Sequence, residues 1–322
     1  LSREYLALKS PIDKAFDRVL LSGQFLLGKE CEKFEESFAQ YCGSKYCVGV
    51  ASGTEAISLA LMALDIGRDD LVITVPNTAV PTASAISMVG AQPLFVDIDE
   101  KNMLMDSTSL ENLLKDLIPA KLRRVKAIIP VHLFGLMCPM DKIKKITDKY
   151  KIPVIEDCAQ AHGCQYKNKK AGTIGIMGCY SFYPSKNLGC YGDGGCIITN
   201  NNVLSLKLKK LRNYGQKTRY CHEIIGINSR LSEIQASALR VKLKYLNNWN
   251  KKRINIALQY IDGLKNCPIT LQDFSSQIQN HVYHLMVIRT DKRDSLKNYL
   301  ANNNIETLIH YPTPIYFQKA YR

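Results

Sequence analysis

The sequence predicts an α/β fold, built on a mostly parallel central sheet with a smaller α+β unit at its C-terminal end. Three observations carry that prediction. Strand-like apolar runs alternate with helical patterns through the first 200 residues, and each run closes on a polar residue or a proline. Beyond about residue 200 the pattern turns to helices.

The elements follow in order. Tyr46 to Ala51 is a short buried strand, followed by a helix over Thr54 to Leu64 that Ser52 or Thr54 caps. Leu71 to Val75 is the next strand and leads to a helical stretch around Ala79 to Met88. Pro93 to Asp97, Lys126 to Pro130 and Pro153 to Asp157 are further strands, with an amphipathic helix over Met140 to Tyr150. Gly178 to Tyr183 and Gly195 to Thr199 close the series. Helices are expected at Val203 to Leu211 and, as one long basic helix, at Ser232 to Tyr260. A large domain over 1–246 and a small one over 247–322 follow, the latter with a strand at Tyr283 to Arg289 and a helix at Arg293 to Asn302. In sheets of this kind ligands sit outside the carboxyl ends of the strands.

Composition narrows the function. The chain has 322 residues, 46% of them hydrophobic, and no apolar run of the roughly 18 residues that span a bilayer. No charged-then-apolar leader precedes the fold. The net charge of +14 is uneven, because residues 201–322 alone hold 20 basic and 7 acidic side chains. Most of these charges read as a solvated lysine-rich surface; the sharper reading is attraction of an anionic nucleotide diphosphate. The basic residues are not interleaved with stacking aromatics, so nucleic acid is not an expected partner. Eleven cysteines show neither CxxC nor zinc spacing, and several lie inside apolar runs. They read as small buried hydrophobes in a reduced, cytoplasmic protein without a structural metal.

Three short motifs carry chemistry. Lys186 follows an apolar strand and precedes a glycine-rich turn (Gly189, Gly192, Gly194, Gly195). Desolvation there lowers a lysine's pKa and frees the amine as a nucleophile. Asp157 ends the strand Val154-Ile155-Glu156, where a carboxylate can keep a pyridine nitrogen protonated. His162, five residues on, reads as structural. Ser52-Gly53-Thr54 opens a helix whose backbone N–H groups suit a phosphate. Each motif alone describes an ordinary lysine, strand end or helix cap. Together they are what pyridoxal phosphate requires, while no GxGxxG fingerprint supports a dinucleotide.

Seven blocks then give a resemblance. SGQFLLG (Ser22 to Gly28), ASGTEA (Ala51 to Ala56), IPVHLFG (Ile129 to Gly135), IEDCAQAHG (Ile155 to Gly163), YSFYPSKNLGCYGDGG (Tyr180 to Gly195), NSRLSEIQAS (Asn228 to Ser237) and HYPTPI (His310 to Ile315) are similar to the DegT/DnrJ/EryC1/StrS sugar aminotransferases over essentially the whole chain. The resemblance implies the aspartate-aminotransferase-like fold (PLP fold type I) and pyridoxal 5'-phosphate as cofactor. It implies that Lys186 binds the cofactor covalently, that Asp157 pairs with its ring nitrogen and that Gln160 lies near its phenolic oxygen. Gly53, Thr54 and Ser181 would hold the phosphate, with Asn228 reaching it from the neighbouring subunit of a homodimer with shared active sites. Gln24, Phe25, His310 and Tyr311, with Tyr183 and Arg230, are the implied contacts of the sugar nucleotide.

The implied reaction moves an amino group from L-glutamate to a nucleotide-linked keto-6-deoxyhexose. The Gln160-Ala161-His162 form, with SGQF near the start, resembles the branch that aminates C3 of a dTDP-3-keto-6-deoxyhexose. A 4-keto sugar nucleotide is the alternative substrate, and a non-catalytic regulatory relative that keeps the fold is the rival of another class. Relatives that dehydrate carry histidine in place of the lysine. The family usually sets an aromatic residue after Asn-Thr, where this chain has Ala79 after Asn77-Thr78. It also usually begins before Leu1 and continues past Arg322, so the chain is expected to be a near-complete fragment with a truncated small domain.

Overall fold

The computed structural model describes residues 1–272 and 281–322. Seven strands form the central sheet: β1 (Tyr46–Val50), β2 (Leu71–Thr74), β3 (Gln92–Phe95), β4 (Val125–Ile128), β5 (Ile155–Asp157), β6 (Met177–Ser181) and β7 (Gly195–Thr199). One ladder runs β1-β7-β6-β5 and another runs β3-β2-β4. Parallel bridges Ile128–Val154 and Val131–Asp157 join them. Only β7 runs against the rest, pairing antiparallel with β1 and β6. The carboxyl ends of the other six strands therefore share one edge.

Alternation along the strands builds two cores. Val48, Val50, Val72, Ile155, Cys179 and Ile197 face one side of the sheet. Their neighbours Cys47, Ile73, Val154, Tyr180, Cys196 and Ile198 face the other, as a two-residue period requires. Helices α3 (Gly53–Ala63), α4 (Pro81–Met88), α5 (Ser107–Asp116), α6 (Met140–Tyr150) and α7 (Asn202–Leu211) surround the sheet. Ser52 caps α3 by accepting from Glu55 N, so the helix begins where its cap and apolar spacing place it. All eleven cysteines are free thiols, nine of them buried, in keeping with their reading as small hydrophobes.

Two helices precede the first strand, where the sequence reading assigns none: α1 (Ser2–Ser22) and α2 (Lys29–Cys42). Pro11 interrupts the helical signal of α1, yet Leu8, Ile12, Ala15 and Val19 still form a buried stripe. Helix α2 has no capping side chain of its own, because its N-cap is Gly28. Glu233 supplies the cap from 205 residues away, its Oε1 accepting from Gly28 N at 2.8 Å. It also accepts from Glu30 N at 2.8 Å and Cys31 N at 3.1 Å. Replacing Glu233 by Ala orphans three N–H groups at a helix start and is expected to cost about 3–5 kcal/mol. Glu233→Gln keeps one acceptor oxygen and should lose less. Urea denaturation of the two variants measures both.

The expected long helix at Ser232 to Tyr260 is two helices, α8 (Glu233–Leu243) and α9 (Leu246–Leu264). Neither Gly nor Pro marks the break at Lys244-Tyr245. Tertiary packing sets it: α8 lies against α1 and α2, whereas Asn250 of α9 bonds the His162 carbonyl. The expected strand Tyr283 to Arg289 shrinks to Ile288–Arg289, paired with Thr270–Leu271. Upstream of it the backbone bonds to a turn instead, Val282 N to Gly135 O at 2.9 Å and Leu285 N to Phe134 O at 3.3 Å. Gly135 permits this approach, since a Cβ there would lie 2.9 Å from His284 N, and its φ of +103° is a region side chains avoid. Helix α10 (Arg293–Asn302) matches its prediction.

Candidate active site

Each chemistry-bearing residue lies at the common strand edge. Asp157 is the last residue of β5 and Ser181 the last of β6. Gly53 and Thr54 open α3, directly after β1. Lys186 stands in the turn after β6.

Asp157 is 4% exposed. Its Oδ2 accepts from Thr82 Oγ1 at 2.8 Å and its Oδ1 from Ala159 N at 3.1 Å. Thr78 in turn meets Thr82 at 3.3 Å. Burial raises the pKa of Asp157 in spite of these bonds and of the charges on Lys186 and His132. Among the described residues no cation pairs with this carboxylate directly.

Burial lowers the pKa of Lys186, and the nearby Asp157 charge acts the other way. Among the described residues its amine has no hydrogen-bond or ion-pair partner. A shift in this direction makes the uncharged, nucleophilic form of the amine easier to reach. Two histidines stand in the same surroundings. His162, buried between the rings of Tyr180 and Phe182, is pushed down to about 3 by burial and then by Lys186. His310 is lowered by the same two causes.

Gln160 joins two distant segments. Its Oε1 accepts from Phe134 N at 2.6 Å, and its Nε2 donates to the Tyr311 hydroxyl at 3.2 Å. That bond brings the His310-Tyr311 stretch to the edge of the sheet. Gly53 faces Ser181 so closely that a Cβ on it would lie 2.5 Å from the serine Cβ. The result is a cradle of backbone N–H groups and a hydroxyl, suited to a phosphate.

The remaining candidates, Tyr183 excepted, lie apart from this group within one chain. Phe25 is 49% and Tyr183 55% exposed. Gln24 and Phe25 occupy the loop between α1 and α2, where the Phe25 carbonyl accepts from Glu233 N. Asn228 is exposed and bridges to Asn213. Arg230 donates to Asn213 Oδ1 at 3.2 Å. Among the described residues Gln24, Phe25, Asn228 and Arg230 make no bond to Asp157, Gln160, Ser181 or Lys186, whereas Tyr183 N donates to Ser181 Oγ at 3.3 Å and the Tyr183 carbonyl accepts from Lys186 N at 2.9 Å.

Some site residues carry no sequence signal of their own. Thr82 and Asn187 belong to this group. Below Asp157, Glu156 accepts from His132 Nε2 at 2.8 Å and from the N–H groups of Gly172, Ile174 and Gly175. This buried carboxylate fixes the loop leading into β6. The oxygens near His132 and Cys158 are thus engaged with protein donors.

A carboxylate, an unpartnered amine and a phosphate cradle at one strand edge match a known family. The profile of the DegT/DnrJ/EryC1/StrS aminotransferase family matches residues 7–322. The chain belongs to this family. It is 46% identical over 310 residues to the dTDP-3-amino-3,6-dideoxy-alpha-D-galactopyranose transaminase of Aneurinibacillus thermoaerophilus, covering 96% of this chain and 83% of that one. The crystal structure of S. venezuelae DesV in complex with a ketimine intermediate superposes with a TM-score of 0.94 at 40% identity, over 99% of this chain and 84% of that one. NtdA from Bacillus subtilis, solved with bound cofactor PMP, gives 0.87 at 32% identity, over 96% of this chain and 70% of that one. The chain is therefore an aminotransferase of PLP fold type I.

Proposed function

We propose that this DegT/DnrJ/EryC1/StrS aminotransferase carries an amino group from L-glutamate to C3 of a dTDP-3-keto-6-deoxyhexose, with pyridoxal 5'-phosphate as cofactor. The observation that carries the reading is the half-buried Lys186 amine, unpartnered among the described residues, at one strand edge with the buried Asp157 and the Gly53–Ser181 cradle. These residues fit the cofactor: among the described residues the amine has no partner and Asp157 no directly paired cation, and glycine keeps the cradle open. Bound there, pyridoxal phosphate supplies an electron sink for the carbon that loses its proton.

The chain's own residues do the rest. Lys186 holds the cofactor and, when freed, takes and returns the proton at the amino-bearing carbon as general base and acid. Asp157, fixed by Thr82 and Ala159 N–H, would hold the ring nitrogen and keep it positive, and Gln160 would serve the phenolic oxygen. Gly53, Thr54 and Ser181 hold the phosphate, and Asn228 serves the site of a second copy, which its exposure supports. That assignment makes the working unit a homodimer. Gln24, Phe25, Tyr183, Arg230, His310 and Tyr311 contact the sugar nucleotide, with residues 247–322 as the smaller domain. A cytoplasmic setting belongs to the same reading, and the eleven free thiols support it.

The Aneurinibacillus relative, named for a dTDP-3-amino sugar, supports C3. The intact Lys186 and Asp157 speak against a regulatory relative. The test is incubation with L-glutamate and either a 3-keto or a 4-keto dTDP-6-deoxyhexose, with the product position read by NMR. Amination of the 3-keto sugar alone is expected; amination of the 4-keto sugar alone overturns the assignment.

A further inference from the structure

The turn that carries Lys186 is fastened on both sides by buried polar groups. Asn187, which follows the lysine directly, is 4% exposed. Its Nδ2 donates to Asn250 Oδ1 on α9 at 2.9 Å and to the Val282 carbonyl at 3.0 Å. Its Oδ1 meets His284 Nδ1 at 3.2 Å. Asn250 passes the connection on, donating to the His162 carbonyl at 2.8 Å. On the other side, the buried Lys242 donates to the Gly189 carbonyl at 2.7 Å and pairs with Glu4 at 2.7 Å. The turn itself is closed, since a Cβ on Gly189 would lie 2.5 Å from the Pro184 carbonyl.

We propose that Asn187 is a positioning residue for Lys186. It joins the lysine's turn to α9 and to the chain at Val282–His284, so that the half-buried amine stays within reach of the Asp157 charge. Both amide hydrogens and the amide oxygen of Asn187 are engaged, and no shorter side chain reaches all three partners. An amide suits this place because it supplies two donors and one acceptor to these three partners, whereas a carboxylate has no donor to give Asn250 and the Val282 carbonyl. This inference rests on the reading of Lys186 as the reactive lysine. It adds that the dry setting of the amine depends on a segment some 95 residues further along the chain.

The groups that face Lys186 are known. Asp157 draws a proton toward it, while His162, His284 and His310 share its surroundings and His132 acts on Asp157. His284 is pushed down to about 2, by burial first and by Lys186 next, so it stays neutral near pH 7 and leaves Asn187 a neutral partner. Loosening the turn admits water to the amine, and its pKa returns toward that of an ordinary lysine.

The test measures attachment of pyridoxal phosphate to Lys186 between pH 6 and 10, fixed with borohydride and mapped by peptide mass spectrometry. Asn187→Ala and Asn250→Ala are each expected to move the midpoint of attachment up by about one pH unit. In the cofactor-loaded protein they should lower kcat about tenfold and leave KM for the sugar nucleotide within about twofold. The double variant should shift no further than the larger single one, because the two amides act as one unit. Ile143→Ala, a core truncation on α6 away from the turn, should lower stability and leave the midpoint in place. If Asn187→Ala does not fold, Asn250→Ala carries the same test. Unchanged midpoints with normal attachment overturn this inference alone, and so does an equal shift in Ile143→Ala. No attachment at Lys186 in the unaltered chain overturns the cofactor reading and this inference with it.

Discussion

Lys186→Ala is expected to lower amino transfer by at least about 10⁴-fold, since it removes the nucleophile and the general base and acid in one change. Washout of the Cα proton of L-glutamate into D₂O should stop as well, because Lys186 is the base assigned to take it. His162 is the nearest rival: it is buried and pushed down to about 3, but its ring lies against Tyr180 and Phe182. Stability should move the other way. Lys186 is half-buried, its amine has no partner among the described residues and burial lowers its pKa, so its removal relieves desolvation, and the melting temperature of the cofactor-free variant should match or exceed that of the unaltered protein. The two measurements together separate loss of chemistry from loss of fold. Proton washout that continues at the normal rate would remove Lys186 from the mechanism.

The site is legible in the sequence wherever its signal is local. Asp157, Ser181 and Lys186 end or follow apolar runs, and a strand's carboxyl end is where an open α/β sheet places its ligands. Ser52, Gly53 and Thr54 announce a helix start by residue type alone. What stays hidden is whatever depends on a distant partner. The Thr82–Asp157 bond spans 75 residues, the Asn187–Val282 bond 95 and the Glu233–Gly28 bond 205. Thr82 reads as an ordinary helix residue and Asn187 as part of a loop until the chain is folded. The fold behaves alike. Strands with a clean two-residue period are placed within one or two residues, as at Gly195–Thr199. The break at Lys244-Tyr245 and the short strand at Ile288–Arg289 are tertiary decisions, set by packing on α1 and α2 and by the turn at Gly135. The cradle at Gly53 is intermediate: glycine hints at close approach, but only the fold shows Ser181 opposite it.

Asp157→Asn is expected to separate function from stability most sharply. Asparagine keeps the shape and both bonding positions: its oxygen can accept from Ala159 N–H, and the Thr82 hydroxyl can turn to accept from its amide. It removes the negative charge that the ring nitrogen of the cofactor calls for, and amino transfer should fall by about 10²–10³-fold. The cofactor-free protein should respond oppositely, for a reason fixed by the direction of the aspartate's pKa. Burial raises that pKa in the folded chain. Below the unfolded value of about 3.9 the carboxyl is neutral in both states, and aspartate and asparagine should fold equally well. As pH rises through the folded pKa, the folded chain gives up a proton it holds more tightly than the unfolded chain does, and stability is lost. Above the unfolded value the unaltered protein therefore loses stability that the variant keeps. Melting temperatures of the two cofactor-free proteins should coincide near pH 3.5 and diverge toward pH 7–8, with the variant higher. Adding pyridoxal phosphate should reverse the order, since the aspartate then gains a cationic partner and the asparagine does not. A variant less stable than the parent at pH 7 without cofactor would show that Asp157 stabilises the fold itself rather than waiting, unpaired, for a positive ring.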